Sequence, residues 1–257
     1  MKNPFREYMN FAIETAHAAG RLTLGYFQTE LSAEFKQDDT PVTIADKRVE
    51  ELIRSKIEKK YPDHMIAGEE YGAGKEKSEF CWIIDPIDGT KSFVRGVPLF
   101  AVLIGLEIAG RCEVGVAYFP ALEEMIYAAT GEGCYWNGRQ ARVSQKDSLN
   151  RSFVSHTNAS SFKEFGREKE WRRVQEAFYN CVGWSDAYGH ALVATGRVEL
   201  MLDPTMNVWD CAPFPPILRE AGGFFGDWSG NETIYANEGM STTKTLLPQV
   251  LNLIRGE

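Results

Sequence analysis

Phe80-Cys81-Trp82-Ile83-Ile84-Asp85-Pro86-Ile87-Asp88-Gly89-Thr90-Lys91-Ser92-Phe93 is the stretch from which both fold and chemistry are read. The apolar run Trp82–Ile84 has the character of a buried strand. Pro86 cannot donate to a ladder, so the strand is expected to stop at Asp85-Pro86. Asp85 and Asp88 then stand three residues apart on a tight turn, and Gly89-Thr90-Lys91 opens a short helix. Such a start points unpaired backbone N–H groups and a partial positive charge at whatever lies in front of it. Acids beside an anion-binding backbone would repel a phosphate unless a divalent cation bridged them. The stretch therefore points to metal-dependent phosphate chemistry. In an isolated D-x-x-D-G the two Asp side chains would be read as caps of backbone groups; the longer order of strand, proline, acid pair, Gly-Thr and helix favours chemistry.

The rest of the chain sets bounds on that reading. Its 257 residues suffice for one large domain or two ordinary ones with a substantial core. With 44% hydrophobic and 25% charged residues it has the composition of a globular enzyme. No apolar run approaches the ~20 residues of a membrane helix. Met1–Phe5 leads directly into a helical pattern and does not read as a signal peptide. A net charge of −8 argues against a nucleic-acid partner, whereas a small phosphorylated metabolite remains compatible because a bound metal can invert the local field. Cys81, Cys112, Cys134, Cys181 and Cys211 are widely spaced without a C-x-x-C, which fits buried thiols in a reducing cytoplasm better than disulfides or zinc.

Helical spacing of Phe5, Met9, Ala12, Ala16 and Ala19 predicts an amphipathic helix over roughly Pro4–Phe27, in which His17 is a packed or solvated side chain. A second helix is expected over about Ile44–Lys60, stopped by Pro62. Asp46 falls in its first turn and, taken alone, is a capping acid; the segment before it runs Lys36-Gln37-Asp38-Asp39-Thr40-Pro41-Val42-Thr43. Gly68-Glu69-Glu70 follows a short apolar stretch. Between Leu99 and Val143, strand-like runs at Ala101–Ile108, Cys112–Tyr118 and Glu124–Ala128 alternate with turn formers, as in an antiparallel meander. After Ser144 helices and strands alternate: a strand at Phe153–His156, helices near Glu168–Tyr179 and Asp186–Thr195, a strand at Val198–Leu202, a helix near Pro213–Ala221, strands at Gly223–Asp227 and Ile234–Ala236, and a last helix over about Thr243–Ile254. The expected class is α/β, with residues 1–145 an α+β half and residues 146–257 an α/β half.

Two distant stretches complete the pattern. Trp209-Asp210-Cys211-Ala212 leads into Glu220-Ala221-Gly222-Gly223, with Asp210 at an ordinary N-cap position. Together with Trp82-Ile83-Ile84-Asp85-Pro86-Ile87-Asp88-Gly89-Thr90 it resembles the W-x-x-D-P-x-D-G-T and W-D-x-A…E-A-G-G motifs of the inositol monophosphatase superfamily. Gly68-Glu69-Glu70 is similar to that family's G-E-E loop, and Val42-Thr43…Asp46 to its V-T-x-x-D segment. The resemblance implies a five-layer αβαβα sandwich of two subdomains with the site between them, the first carrying most metal ligands and the second Asp210. It implies that Glu69, Asp85 and the Ile87 carbonyl hold one Mg²⁺, that Asp85, Asp88 and Asp210 hold a second, and that Glu69 with Asp46 helps place a third, with Mn²⁺ an alternative ion. Asp88 and the amides of Gly89 and Thr90 would bind phosphate, and Glu69, Thr90 and Asp46 would ready the attacking water. Inhibition by Li⁺ and a homodimer are also implied. Mg²⁺ suits such a set, since it takes oxygen ligands from a few carboxylates and the substrate phosphate, and paired ions stabilise both oxygens of an in-line displacement.

Other phosphatase classes fit less well. The D-x-D-G-T of haloacid-dehalogenase phosphatases puts a nucleophilic Asp where this chain has Pro86, no H-x-H is present, and the acids lack EF-hand spacing. Within the superfamily, Asp186-Ala187-Tyr188-Gly189-His190 with Arg197, and Phe225-Gly226-Asp227-Trp228, are similar to the histidinol-phosphate phosphatase branch. Asp186 and Arg197 are the candidate substrate contacts. A carboxylate at 186 would pair with the ammonium of histidinol, or simply cap the helix that follows. Three functions stay open: hydrolysis of L-histidinol phosphate, hydrolysis of inositol monophosphate or another sugar phosphate, and silent binding of a phosphorylated ligand. Pro213, Pro215 and Pro216 depart from the family's pattern and are expected to delay or bend the helix behind Asp210.

Overall fold

The computed structural model describes residues 3–29, 34–35, 41–74, 78–184 and 186–257; the expected loop residues Lys36–Thr40 lie outside them. Two sheets organise the chain. The first has eight strands in the order Arg139–Gln140, Gly133–Trp136, Glu124–Ala129, Arg111–Phe119, Ala101–Ile108, Phe80–Asp88, Met65–Gly68 and Gly72–Ala73. All its pairs are antiparallel except Met65–Gly68 with Phe80–Asp88. The second has five, in the order Asn180–Val182, Phe153–His156, Leu200–Asp203, Gly239–Thr243 and Gly223–Gly226.

Three buried apolar clusters glue these sheets into layers. The helices Phe5–Leu24 and Ile44–Lys60 press Met9, Ala12, Ala16, Val49, Ile53 and Ile57 onto one face of the large sheet. Its other face meets Ala191, Leu192, Phe214 and Ile217 from the helices Asp186–Ala194 and Phe214–Ala221, which also pack on Met201 and Phe225 of the small sheet. Trp171 and Val174 of the helix Glu168–Ala177, with Val250 and Ile254 of the helix Leu247–Arg255, cover the far face of the small sheet. The result is the five-layer αβαβα sandwich. Among the described residues no helix is long and apolar enough to cross a membrane, and the cysteines are free, four of them buried.

Several local expectations change. The strand Phe80–Asp88 does not end at Pro86. Its register with Ala101–Ile108 moves from Asp85↔Leu103 to Asp88↔Ala101, so three steps on one strand answer two on the other. That is a bulge, where a proline's missing N–H removes no ladder bond. Ile234–Ala236 forms no strand. The strand lies instead at Gly239–Thr243, antiparallel to both Leu200–Asp203 and Gly223–Gly226, and the last helix starts at Leu247 rather than Thr243. Gly-Met-Ser-Thr-Thr carries no apolar run, so its burial is dictated by its neighbours and not by its own pattern. The three prolines do not bend a helix. One helix stops at Cys211 and another starts at Phe214 with Pro213 as its N-cap and Pro215 and Pro216 in its first turn, where N–H groups lack intrahelical partners anyway.

Candidate metal and phosphate site

The bulge at Pro86-Ile87 creates the site. In a regular strand, residues three apart face opposite sides. One extra residue resets that alternation and turns Asp85 and Asp88 to the same side. Ile87 N–H donates to Asp85 Oδ1 at 2.9 Å and locks the bulge. Asp210 arrives from the middle layer on the short helix Val208–Cys211, and its Oδ2 accepts the Asn207 N–H at 2.7 Å. Ligand oxygens of Asp85, Asp88 and Asp210 all lie within 4.8 Å of one another.

Two glycines let that helix come close. Gly105 and Gly115 are register partners on adjacent strands. A Cβ on Gly105 would stand 2.7 Å from the Ala212 Cβ, and one on Gly115 would stand 2.0 Å from the Pro213 carbonyl oxygen. Their bare backbone makes a notch for the Ala212-Pro213 junction, which sets Asp210 over the large sheet.

Asp85 is buried and Asp88 and Asp210 half-buried, and three carboxylates this close repel one another. Burial chiefly, then repulsion from Glu69, Asp88 and Asp210, pushes the Asp85 carboxyl well above the ordinary carboxylate range. Asp88 is raised likewise by burial and by Asp186 and Asp210, and burial pushes Asp210 up to about 7. Such a cluster either holds protons or binds cations, and an all-oxygen set fits hard divalent ions. This donor chemistry meets the requirements of the expected ions.

The other expected residues gather around it. Glu69 stands outside the tight triad, yet it is the charged neighbour that Asp85 feels most. Asp46 occupies a capping box at the start of its helix, its Oδ2 accepting both the N–H and the hydroxyl of Thr43 at 2.8 and 2.7 Å. Its Oδ1 lies 3.5 Å from Thr90 Oγ1, which donates to the Ile87 carbonyl at 3.0 Å. Gly89 adopts φ 77°, left-handed backbone that favours glycine, and precedes the helix Thr90–Val94. Asp186 Oδ2 is 3.3 Å from where a Gly89 Cβ would sit, and the Ala187 N–H donates to Asp88 Oδ2 at 3.0 Å. Asp186 therefore borders the triad. Arg197 does not. It pairs with Glu124 at 2.8 Å and lies over the Trp136 ring at 4.6 Å, so the structure gives it a packing role away from the cleft.

Sequence reasoning missed two acids. Asp203 ends the strand Leu200–Asp203 and lines the cleft with Asp88, Thr157, Asp186 and Asp210; an acid closing an apolar strand run was the available signal. Glu50, wholly buried, accepts the Glu70 N–H at 2.8 Å and the Tyr71 N–H at 3.2 Å while pairing with Arg54 at 2.7 Å. Its signal was a carboxylate between Val49 and Ile53 on the buried helix face.

The family model of the inositol monophosphatase family matches residues 5–255. A histidinol-phosphatase of Chlorobaculum parvum is 42% identical over 235 residues, spanning 90% of this chain and 90% of its own length. Inositol monophosphatase 1 of Homo sapiens is 33% identical over 240 residues, spanning 90% of this chain and 87% of its own. A solved IMPase of Thermotoga maritima superposes with a TM-score of 0.88 at 30% identity and covers 97% of each chain.

Proposed function

The chain belongs to the inositol monophosphatase family of phosphatases, and from that premise we propose that it is a Mg²⁺-dependent phosphomonoesterase that hydrolyses L-histidinol phosphate. The observation that carries the substrate is the composition of the cleft. Beyond Asp88 and Asp210 it is lined by two further acids, Asp186 and Asp203, with Thr157, Ser161, Thr205 and Met206 and no cationic side chain among its described lining. An alcohol bearing an ammonium group gains an opposite charge beside those carboxylates as well as hydrogen bonds, whereas a neutral polyol gains only the hydrogen bonds. The similarity to a histidinol-phosphatase supports the same choice.

Glu69, Asp85, Asp88, Asp210 and the Ile87 carbonyl would hold the ions, Mg²⁺ or Mn²⁺. Bound there, hard cations neutralise the phosphoryl oxygens and lower the pKa of a coordinated water. The chain's own residues do the rest. The Gly89 and Thr90 amides cradle the phosphate at a helix start. Thr90 Oγ1, between Asp46 and the Ile87 carbonyl, is placed to orient a water and pass its proton towards Asp46. No side chain is needed as nucleophile. The homodimer implied by the family resemblance is part of the same proposal.

Phosphate release with Mg²⁺ tests this on L-histidinol phosphate, inositol 1-phosphate, fructose 1,6-bisphosphate and 3′-phosphoadenosine 5′-phosphate. The expected result is the highest kcat/KM on L-histidinol phosphate. A higher value on inositol 1-phosphate would refute the substrate. No release from any of them would refute the phosphatase reading in favour of silent ligand binding.

A further inference from the structure

Behind the cleft runs a buried polar chain that the hydrolysis itself does not use. His190, wholly buried on the helix Asp186–Ala194, lies between the rings of Phe214 and Phe225, at 4.8 and 5.5 Å between centroids. Its Nδ1 is 2.7 Å from Ser241 Oγ, itself wholly buried on the strand Gly239–Thr243. Its Nε2 is 3.3 Å from Asp203 Oδ2, in a geometry too bent for a well-formed hydrogen bond, so the contact is chiefly electrostatic. Asp203 Oδ1 accepts the Thr157 N–H at 3.3 Å. Ala187, Ala191, Leu192, Val193 and Ala194 of the same helix are also buried, and an apolar side chain at 190 would pack against Phe214 and Phe225 without the cost of a buried polar ring.

The partners fix the tautomer. A lone pair on Nε2 would face a carboxylate and be repelled, so Nε2 carries the proton; Nδ1 is then the acceptor and Ser241 the donor. Ser241 thus orients the ring, and the Nε2–H faces the acid that lines the cleft. We propose that His190, oriented by Ser241, is a positioning residue that holds the Asp203 carboxylate to receive the cationic part of the substrate. This rests on the cationic-substrate reading above.

The test compares kcat/KM on L-histidinol phosphate with kcat/KM on glycerol 2-phosphate, a phosphomonoester without a cation, in wild type, His190→Leu, His190→Gln and Ser241→Ala. His190→Leu should lower the ratio of the two by about tenfold, mainly through KM for L-histidinol phosphate. His190→Gln, whose amide N–H can take the place of Nε2–H, should keep the ratio within about threefold of wild type. Ser241→Ala should lower it in the same direction, and it serves if His190→Leu does not fold. A parallel loss on both esters, with the ratio intact and melting temperature lowered, would mean that the chain only supports the fold and would overturn the inference alone. A wild type that shows no preference between the esters would overturn the substrate reading and the inference with it.

Discussion

Replacing Glu50 should weaken cation binding although Glu50 touches no cation. Its Oε2 accepts the Glu70 N–H at 2.8 Å, and its Oε1 accepts the Tyr71 N–H at 3.2 Å and Arg54 Nε at 2.7 Å. Arg54 also donates to the Gly72 carbonyl, so the pair clamps the turn Glu70–Gly72 that directly follows Glu69. Gly68 makes the approach possible, since a Cβ there would stand 2.1 Å from Glu50 Oε1. Glu50→Ala strands three donors in a site where Glu50 is inaccessible and Arg54 is 17% exposed. Each buried donor left unsatisfied costs ~1–3 kcal/mol, and water reaching the partly exposed Arg54 brings the total to ~3–5 kcal/mol, as for breaking a buried ion pair. At ~2–4 °C per kcal/mol for a chain of this size, the melting temperature falls by ~6–20 °C. Glu50→Gln keeps one acceptor and the side-chain volume, and it should lose about half as much. The loop then samples more positions, and removal of a partner that orients a ligand costs ~10–100-fold in metal affinity. Calorimetric titration of metal-free Glu50→Gln with Mn²⁺ reads this directly, alongside its melting curve. A folded, destabilised Glu50→Gln that binds Mn²⁺ as tightly as wild type would refute the argument, leaving Glu50 as a support of the fold alone.

Asp88→Asn should abolish turnover while the melting temperature of the metal-free protein holds or rises, because the substitution removes one member of a close-packed like-charged cluster; near-normal phosphate release by that variant would take Asp88 out of the site. The raised carboxyls also set a pH dependence. An acid whose folded pKa lies above its unfolded value binds more protons folded, so its contribution is present below the unfolded value and lost as pH rises through the folded one. For Asp210 the window runs from an ordinary 3.8 to about 7. The melting temperature of metal-free wild type, measured against metal-free Asp210→Asn, should therefore fall between pH 4.5 and 7.5, while Mn²⁺ affinity rises over the same range as protons cease to compete. A difference that is flat, or that moves in favour of wild type, contradicts the assignment.

How much of this could be read from residues alone depended on whether a signal was local. The acids at 69, 85, 88 and 210 stood in recognisable strings, and the meander announced itself through its turns. The facing of Asp85 and Asp88 was not local. Pro86 correctly marked an interruption, but an ended strand and a bulged one look the same until the partner strand's register is known. Gly105 and Gly115 were visible as glycines inside strands, a sign of close backbone approach, yet what approaches them lies some hundred residues further on. Gly239–Thr243 was invisible because a short polar segment becomes a strand only when two neighbours bury it. Arg197 was placed at the substrate by position in a motif, whereas its charge is spent on Glu124.

A reading of these acids as caps and a reading of them as ligands describe the same side chains. Asp46 Oδ2 caps its helix through Thr43, and Asp210 Oδ2 holds the Asn207 N–H at the start of another. Asp85 Oδ1 holds the Ile87 N–H within the bulge, and Asp88 Oδ2 holds the Ala187 N–H across the cleft. In each case one carboxylate oxygen is fixed by the backbone, which sets the rotamer and leaves the second oxygen for another partner. A carboxylate tethered in this way loses little conformational freedom when it takes up a cation, so its affinity is not reduced by ordering a long, free side chain. The tethers also come from separate elements: a helix start, a strand bulge, the short helix of the middle layer, and the helix beneath the small sheet. Four elements must reach their final packing before the oxygens converge. The cost of bringing so many like charges together therefore falls on the folded chain as a whole, where three apolar clusters can carry it.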